Sequence, residues 1–145
     1  MKQKTSKFKR VAITALAAVC ALSSVVAFGA SAKTYKYTHT VNVGGYSGAN
    51  DTTWISMPKK GTCYDLFGSY PTIYNNKSSC TIETRACHEN KKTKSKLVTI
   101  TLKKNYPAPT TANYGELTKS GQWLINYKYK SGGGFKSQVI THKQY

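Results

Sequence analysis

The sequence predicts an all-β protein, a small antiparallel β-sandwich with a closed barrel as second choice, and three observations carry that expectation. Apolar and polar side chains alternate with a period of two along most of residues 33–145, and a 3.6-residue period is nearly missing. Glycine, proline, asparagine and serine interrupt the alternation at short intervals. Six or seven short strands spaced in this way suit two packed antiparallel layers.

The first 32 residues follow another rule. Lys2, Lys4, Lys7, Lys9 and Arg10 precede an unbroken apolar or small-residue run from Val11 to Phe28, and Ala30-Ser31-Ala32 follows. This order is that of a secretory signal peptide, with cleavage expected between Ala32 and Lys33. The apolar run is near the minimum that spans a bilayer, so a retained anchor is the alternative; the small residues at 30 and 32 favour cleavage. Cys20 follows a bulky valine, which departs from the pattern of a lipid-modified cysteine. Residues 33–145 are then a single extracellular β domain, associated in part with the cell envelope.

Strand by strand, Thr34–Val43 places Tyr35, Tyr37, His39, Val41 and Val43 on one face. Gly44-Gly45-Tyr46-Ser47-Gly48 is a turn, Thr52–Met57 a short strand carrying Trp54 and Ile55, and Pro58-Lys59-Lys60-Gly61 its end. Cys63–Phe67 reads as a strand broken at Ser69-Tyr70-Pro71. Cys80–His88 alternates again, with Cys80, Ile82, Thr84 and Ala86 on one side, and Leu97–Lys103 directs Val98, Ile100 and Leu102 inward; together they predict a hairpin. The segment NYPAPTTANYGELTKSG, with two prolines, reads as a long strandless loop. The closing stretch predicts a hairpin. Trp123, Ile125, Tyr127 and Tyr129 point in, Asn126, Lys128 and Lys130 point out, three glycines reverse the chain, and Phe135–His142 returns.

Three cysteines remain after the leader, in a compartment where disulfides persist. Cys80 and Cys87 on one strand stand about 23 Å apart, beyond the roughly 7 Å that a disulfide allows between Cα atoms. Cys63 therefore joins one of them. The expected pair is Cys63 with Cys80, which shares the apolar face with Ile82, leaving Cys87 as a free thiol. Such a crosslink stabilises by about 3 kcal/mol on the chain-entropy view. Cys87 and His88 are sequence neighbours on one strand and point to opposite faces, which weighs against a nucleophile–base pair.

No catalytic motif appears. His39, His88 and His142 fall on three separate strands without a metal-ligand spacing, so no metal and no cofactor are expected. The five carboxylates form no close pair, and nucleophile-elbow, zinc-protease and phosphate-loop patterns are missing. The protein is expected not to be an enzyme.

Charge is the clearest functional signal. Residues 33–145 hold 17 Lys+Arg against five Asp+Glu, a net charge of about +12 that attracts polyanions and contributes little to the fold. Lys91, Lys92, Lys94 and Lys96 crowd one hairpin tip, Lys103 and Lys104 follow at the other end of that strand, and Lys128 and Lys130 share an outward face. Tyr106 and Tyr114 of the expected loop could stack on sugars or bases. Arg85 is the sole arginine after the leader. A lysine surface lacks the bidentate fork that reads a base sequence, so sequence-specific nucleic acid is not an expected partner. The expectation is a secreted, non-enzymatic basic sandwich that associates with anionic cell-wall polymer or a membrane surface; the alternative is a bacteriocin-like or pore-forming toxin.

Overall fold

β-branched and aromatic residues at alternate positions fit a pleated, half-buried surface, and they fold here into nine antiparallel strands. The computed structural model describes residues 33–44 and 50–145; the expected leader (1–32) and most of the expected turn at 44–48 lie outside the described residues. In chain order the strands are β1 (Thr34–Val43), β2 (Asp51–Met57), β3 (Gly61–Phe67), β4 (Thr72–Ile73), β5 (Ser79–His88), β6 (Val98–Lys103), β7 (Thr110–Leu117), β8 (Gly121–Gly132) and β9 (Phe135–Gln144). No helix occurs among the described residues. One sheet runs β1-β9-β3-β7, with β4 also paired to β9, and the other runs β2-β8-β5-β6. The two sheets do not close into a barrel, so the expected sandwich is the observed fold.

The inward rows build one core. Ile82 and Ala86 of β5, Ile100 and Leu102 of β6, and Trp123, Ile125 and Tyr127 of β8 meet Val41, Val43, Cys63, Phe67, Ala112, Leu117 and Val139 of the other sheet. The expected β5–β6 hairpin is present, pairing Thr84 with Val98 through Ser79 with Lys103. Tyr35 and Tyr37 share the inward side of β1 with Val41 and Val43 yet stay exposed.

Three expectations need correction. The first is the strandless 105–121 segment, which contains β7. Its period of two is broken by a bulge: Cys63 pairs with Gly115, but Tyr64 pairs with Asn113. The inward residues are therefore Ala112, Tyr114 and Leu117, spaced two and then three apart. Gly115 adopts φ +76° at that point, a conformation that glycine accepts at no steric cost.

The second correction concerns the closing stretch, which is not a hairpin. β8 lies in one sheet and β9 in the other, so the glycines carry the chain across the sandwich. Gly132 has φ +88°, and a Cβ there would stand 2.3 Å from the Ser79 carbonyl oxygen. The neighbouring Gly133 N–H donates to that same oxygen at 2.9 Å. Gly132→Ala is therefore expected to destabilise by about 2–3 kcal/mol through backbone strain and overlap, read as a lower urea midpoint. An unchanged midpoint would show that the crossing tolerates a side chain.

The third is the Cys63–Cys80 disulfide. Among the described residues all three cysteines, Cys63, Cys80 and Cys87, are free. Cys63 pairs across from Lys143, near one end of β9. Cys80 pairs across from Gly132, where the chain crosses to the other end of β9 at Phe135. About eight residues of extended strand, roughly 26 Å, separate those ends. Sharing a buried face does not imply sharing an end of the sandwich. Burial raises both thiols, Cys80 to about 11, so both are protonated at neutral pH.

Candidate functional site

Inward positions use one face of β5, which leaves Glu83, Arg85 and Cys87 on the outer face of the second sheet. On β8 the same logic turns Leu124, Asn126 and Lys128 outward. Register then sets them in rows across the strands. Trp54, Leu124, Cys87 and Lys94 form the first row; Thr52, Asn126 and Arg85 the second; Lys128, Glu83 and Thr99 the third. Two adjoining hollows of about 420 and 340 Å³ lie along these rows and share Cys87 and Lys94. Arg85, Lys128, Asn50, Asn126 and Glu83 line the larger, while Trp54, Leu124, Lys91 and Glu89 line the smaller. The groove thus holds a large apolar ring, 57% exposed at Trp54, in one hollow with Lys91 and Lys94, then amides and a guanidinium, and then Lys128 across from Glu83.

Electrostatics inside the groove is uneven. A bulge in the β5–β8 pairing shifts register beyond Glu83, and Lys130 donates to Glu83 Oε1 at 2.6 Å. That hydrogen bond and charge, with Lys128 and Arg85 adding, hold Glu83 below the usual carboxylate range. Lys130 is thereby matched by an anion. Asn126 Nδ2 donates to the Leu124 carbonyl at 3.3 Å and to Cys87 Sγ at 3.6 Å, which orients the amide between the first two rows.

The lysines expected to meet an anionic ligand lie in three places. The connector 89–97 turns tightly because Asn90 Oδ1 accepts from the backbone N–H groups of Lys92 and Thr93, and Asn90 Nδ2 reaches Thr93 Oγ1. That turn sends Lys94 into both hollows and Lys91 into one, with Lys92 and Lys96 exposed outside them. Lys103, Lys104 and Tyr106 come together around Ser78 and Ser79 in a separate hollow of about 460 Å³. Tyr114 is a correction. It is 1% exposed and stacks on nothing in solvent; its phenol belongs to the core because it falls two residues from the inward Ala112 on β7.

Tyr114 is part of a buried polar network that the sequence does not announce. Asp65 is fully buried. Its Oδ2 accepts from Tyr114 Oη at 2.6 Å and Tyr127 Oη at 2.7 Å, and its Oδ1 from Thr141 Oγ1 at 2.6 Å. With the tyrosine protons so committed, Thr84 donates to Tyr114 at 2.9 Å, and His39 Nε2–H donates to Tyr127 at 3.2 Å. Desolvation raises Asp65 above the ordinary aspartate value although three hydroxyls oppose it. Desolvation likewise raises both phenols and lowers His39. The other histidines have separate surroundings. His88 accepts the Asn90 N–H at Nδ1 and approaches the Ser120 carbonyl at 2.9 Å through Nε2, which fixes Nε2 as the protonated nitrogen. His142 stacks on Tyr64 with ring centres 4.6 Å apart.

Fold and groove together define a two-sheet antiparallel sandwich with a cationic, tryptophan-edged outer face. No protein-family model matches the chain, and no curated protein matches it. Among solved structures it is similar to one described as "Crystal Structure of FLHE", at 11% identity and a TM-score of 0.42, over 80% of this chain and 98% of that chain. A likeness of that size carries no inference about function.

Proposed function

We propose that the protein is exported by its leader and then associates, without catalysis, with anionic polymer or lipid of a cell envelope. The observation that carries this reading is the meeting of Arg85, Lys94 and Lys128 along one groove, on a domain with 17 Lys+Arg against five Asp+Glu. One of those five, Asp65, is buried, and another, Glu83, is held by Lys130. Solvent-facing charge is therefore still more one-sided than the composition. Cations so arranged attract a polyanion at long range and lose that attraction as salt screens it.

The test is retention on a polyanionic wall preparation. Elution is expected to require rising salt, with most protein released between about 0.1 and 1 M as the screening length falls from roughly 10 to 3 Å. Retention that ignores salt, or no retention, would remove the proposal. Adsorption to anionic vesicles should occur without release of trapped dye; rapid leakage would favour the toxin reading instead.

A further inference from the structure

We infer that the groove on the second sheet takes an acidic glycan, with Trp54 as the platform for a sugar ring and Arg85, Lys94 and Lys128 as the partners of its anionic groups. The inference rests on the polyanion reading and narrows it to one site and one ligand class.

The order of chemistry along the groove points to this class. Trp54 sits on the edge strand β2, aligned across from Leu124, and its row continues to Lys94. A planar, largely exposed indole offers an apolar face of about the size of one ring, the kind of surface on which a sugar's C–H face rests. Two residues further along each strand, roughly 7 Å away, the next row presents the Asn126 amide and the Arg85 guanidinium. An amide donates to and accepts from hydroxyls, and a guanidinium grips a carboxylate or phosphate through two parallel bonds. Lys128 continues the cationic line in the third row. A ligand matching all three rows has an apolar ring face, hydroxyls and anionic substituents in one repeating unit.

Competing polyanions fit less well. A bilayer offers a broad apolar layer beneath its head groups, whereas this face has one tryptophan, the half-buried Leu124 and the exposed Leu97 set among polar side chains. A single-stranded nucleic acid gains most from successive stacking platforms; only one aromatic ring stands along these rows, and the exposed Tyr106 lies in a different hollow.

Tryptophan fluorescence gives a direct test with the purified full chain, because the other tryptophan, Trp123, is 1% exposed and Trp54 is 57% exposed. The probes are oligogalacturonate, a phosphodiester-linked glycan, sugar-free polyphosphate of equal charge, phosphatidylglycerol vesicles and a single-stranded oligonucleotide. At least one of the two glycans is expected to shift the emission and to bind about tenfold more tightly than polyphosphate; which one does so identifies the anion as carboxylate or phosphate. Trp54→Ala should lose about tenfold in glycan affinity, keep its polyphosphate affinity and melt as the wild type does. Arg85→Gln should weaken both. Equal binding of glycan and polyphosphate with no effect of Trp54→Ala would overturn the inference and leave the polyanion reading standing. Preference for vesicles or for the oligonucleotide would overturn it too. Failure to bind any of the five would overturn both.

Discussion

Alanine at position 65 is expected to lower the unfolding free energy by about 3–5 kcal/mol, read by urea denaturation at neutral pH. The carboxylate is fully buried and accepts from Tyr114, Tyr127 and Thr141, so its removal strands three hydroxyls in the core at roughly 1–3 kcal/mol each before they relax. Asparagine keeps the volume and most of the acceptor capacity, and separates the bonding from the charge. Because burial raises the folded-state value above the ordinary 3.8, the native chain holds this proton to a higher pH than the unfolded chain does. Stability from Asp65 is therefore greatest below about pH 4 and declines as pH rises through the raised folded value. Asp65→Asn should be free of that decline, so the difference between wild type and variant should move in the variant's favour with rising pH. A difference that is flat, or that moves the opposite way, would show that the three hydroxyls outweigh desolvation.

Trp123→Ala is expected to cost about 3–5 kcal/mol, as for other large buried rings. The indole is 1% exposed, packs edge-on to His88 with ring centres 5.0 Å apart, and donates from Nε1 to the Lys119 carbonyl at 3.1 Å. It therefore ties the start of β8 both to the end of β5 and to the turn before β8. Phenylalanine should recover more than half the loss by refilling the space while giving up the hydrogen bond. A loss below about 1 kcal/mol for alanine would mean that the surrounding chain collapses into the gap.

Much of this architecture was legible because a pleated strand shows its two faces as odd and even positions. The inward rows of β5, β6 and β8 follow from Ile82, Ile100, Trp123 and their alternate neighbours, and the observed burial repeats them. β7 was not legible, because the bulge at Gly115 changes the phase between Tyr114 and Leu117. Partnership between distant strands was not legible either. Nothing local says that β8 lies between β2 and β5, so the row from Trp54 through Leu124 to Cys87 exists only once the register is known. The same gap hid Asp65, whose partners come from β7, β8 and β9, and it made Cys63 and Cys80 look like neighbours. Exposed lysines, by contrast, could be found singly from their outward phase; the grouping of Lys94 with Arg85 and Lys128 could not.

The place of β9 has a kinetic side. It bonds to β1, β3 and β4, and it joins Thr34 to Gln144 across 110 residues of chain. As the polypeptide emerges from its N-terminus, the first strand must wait for nearly the whole domain before its partner arrives. Loop closure over such a distance is entropically demanding, and topologies dominated by remote pairings assemble on the millisecond-to-second scale. The sheet built on β9 thus cannot be completed until nearly the whole domain has been synthesised, whereas the β5–β6 hairpin needs no C-terminal partner.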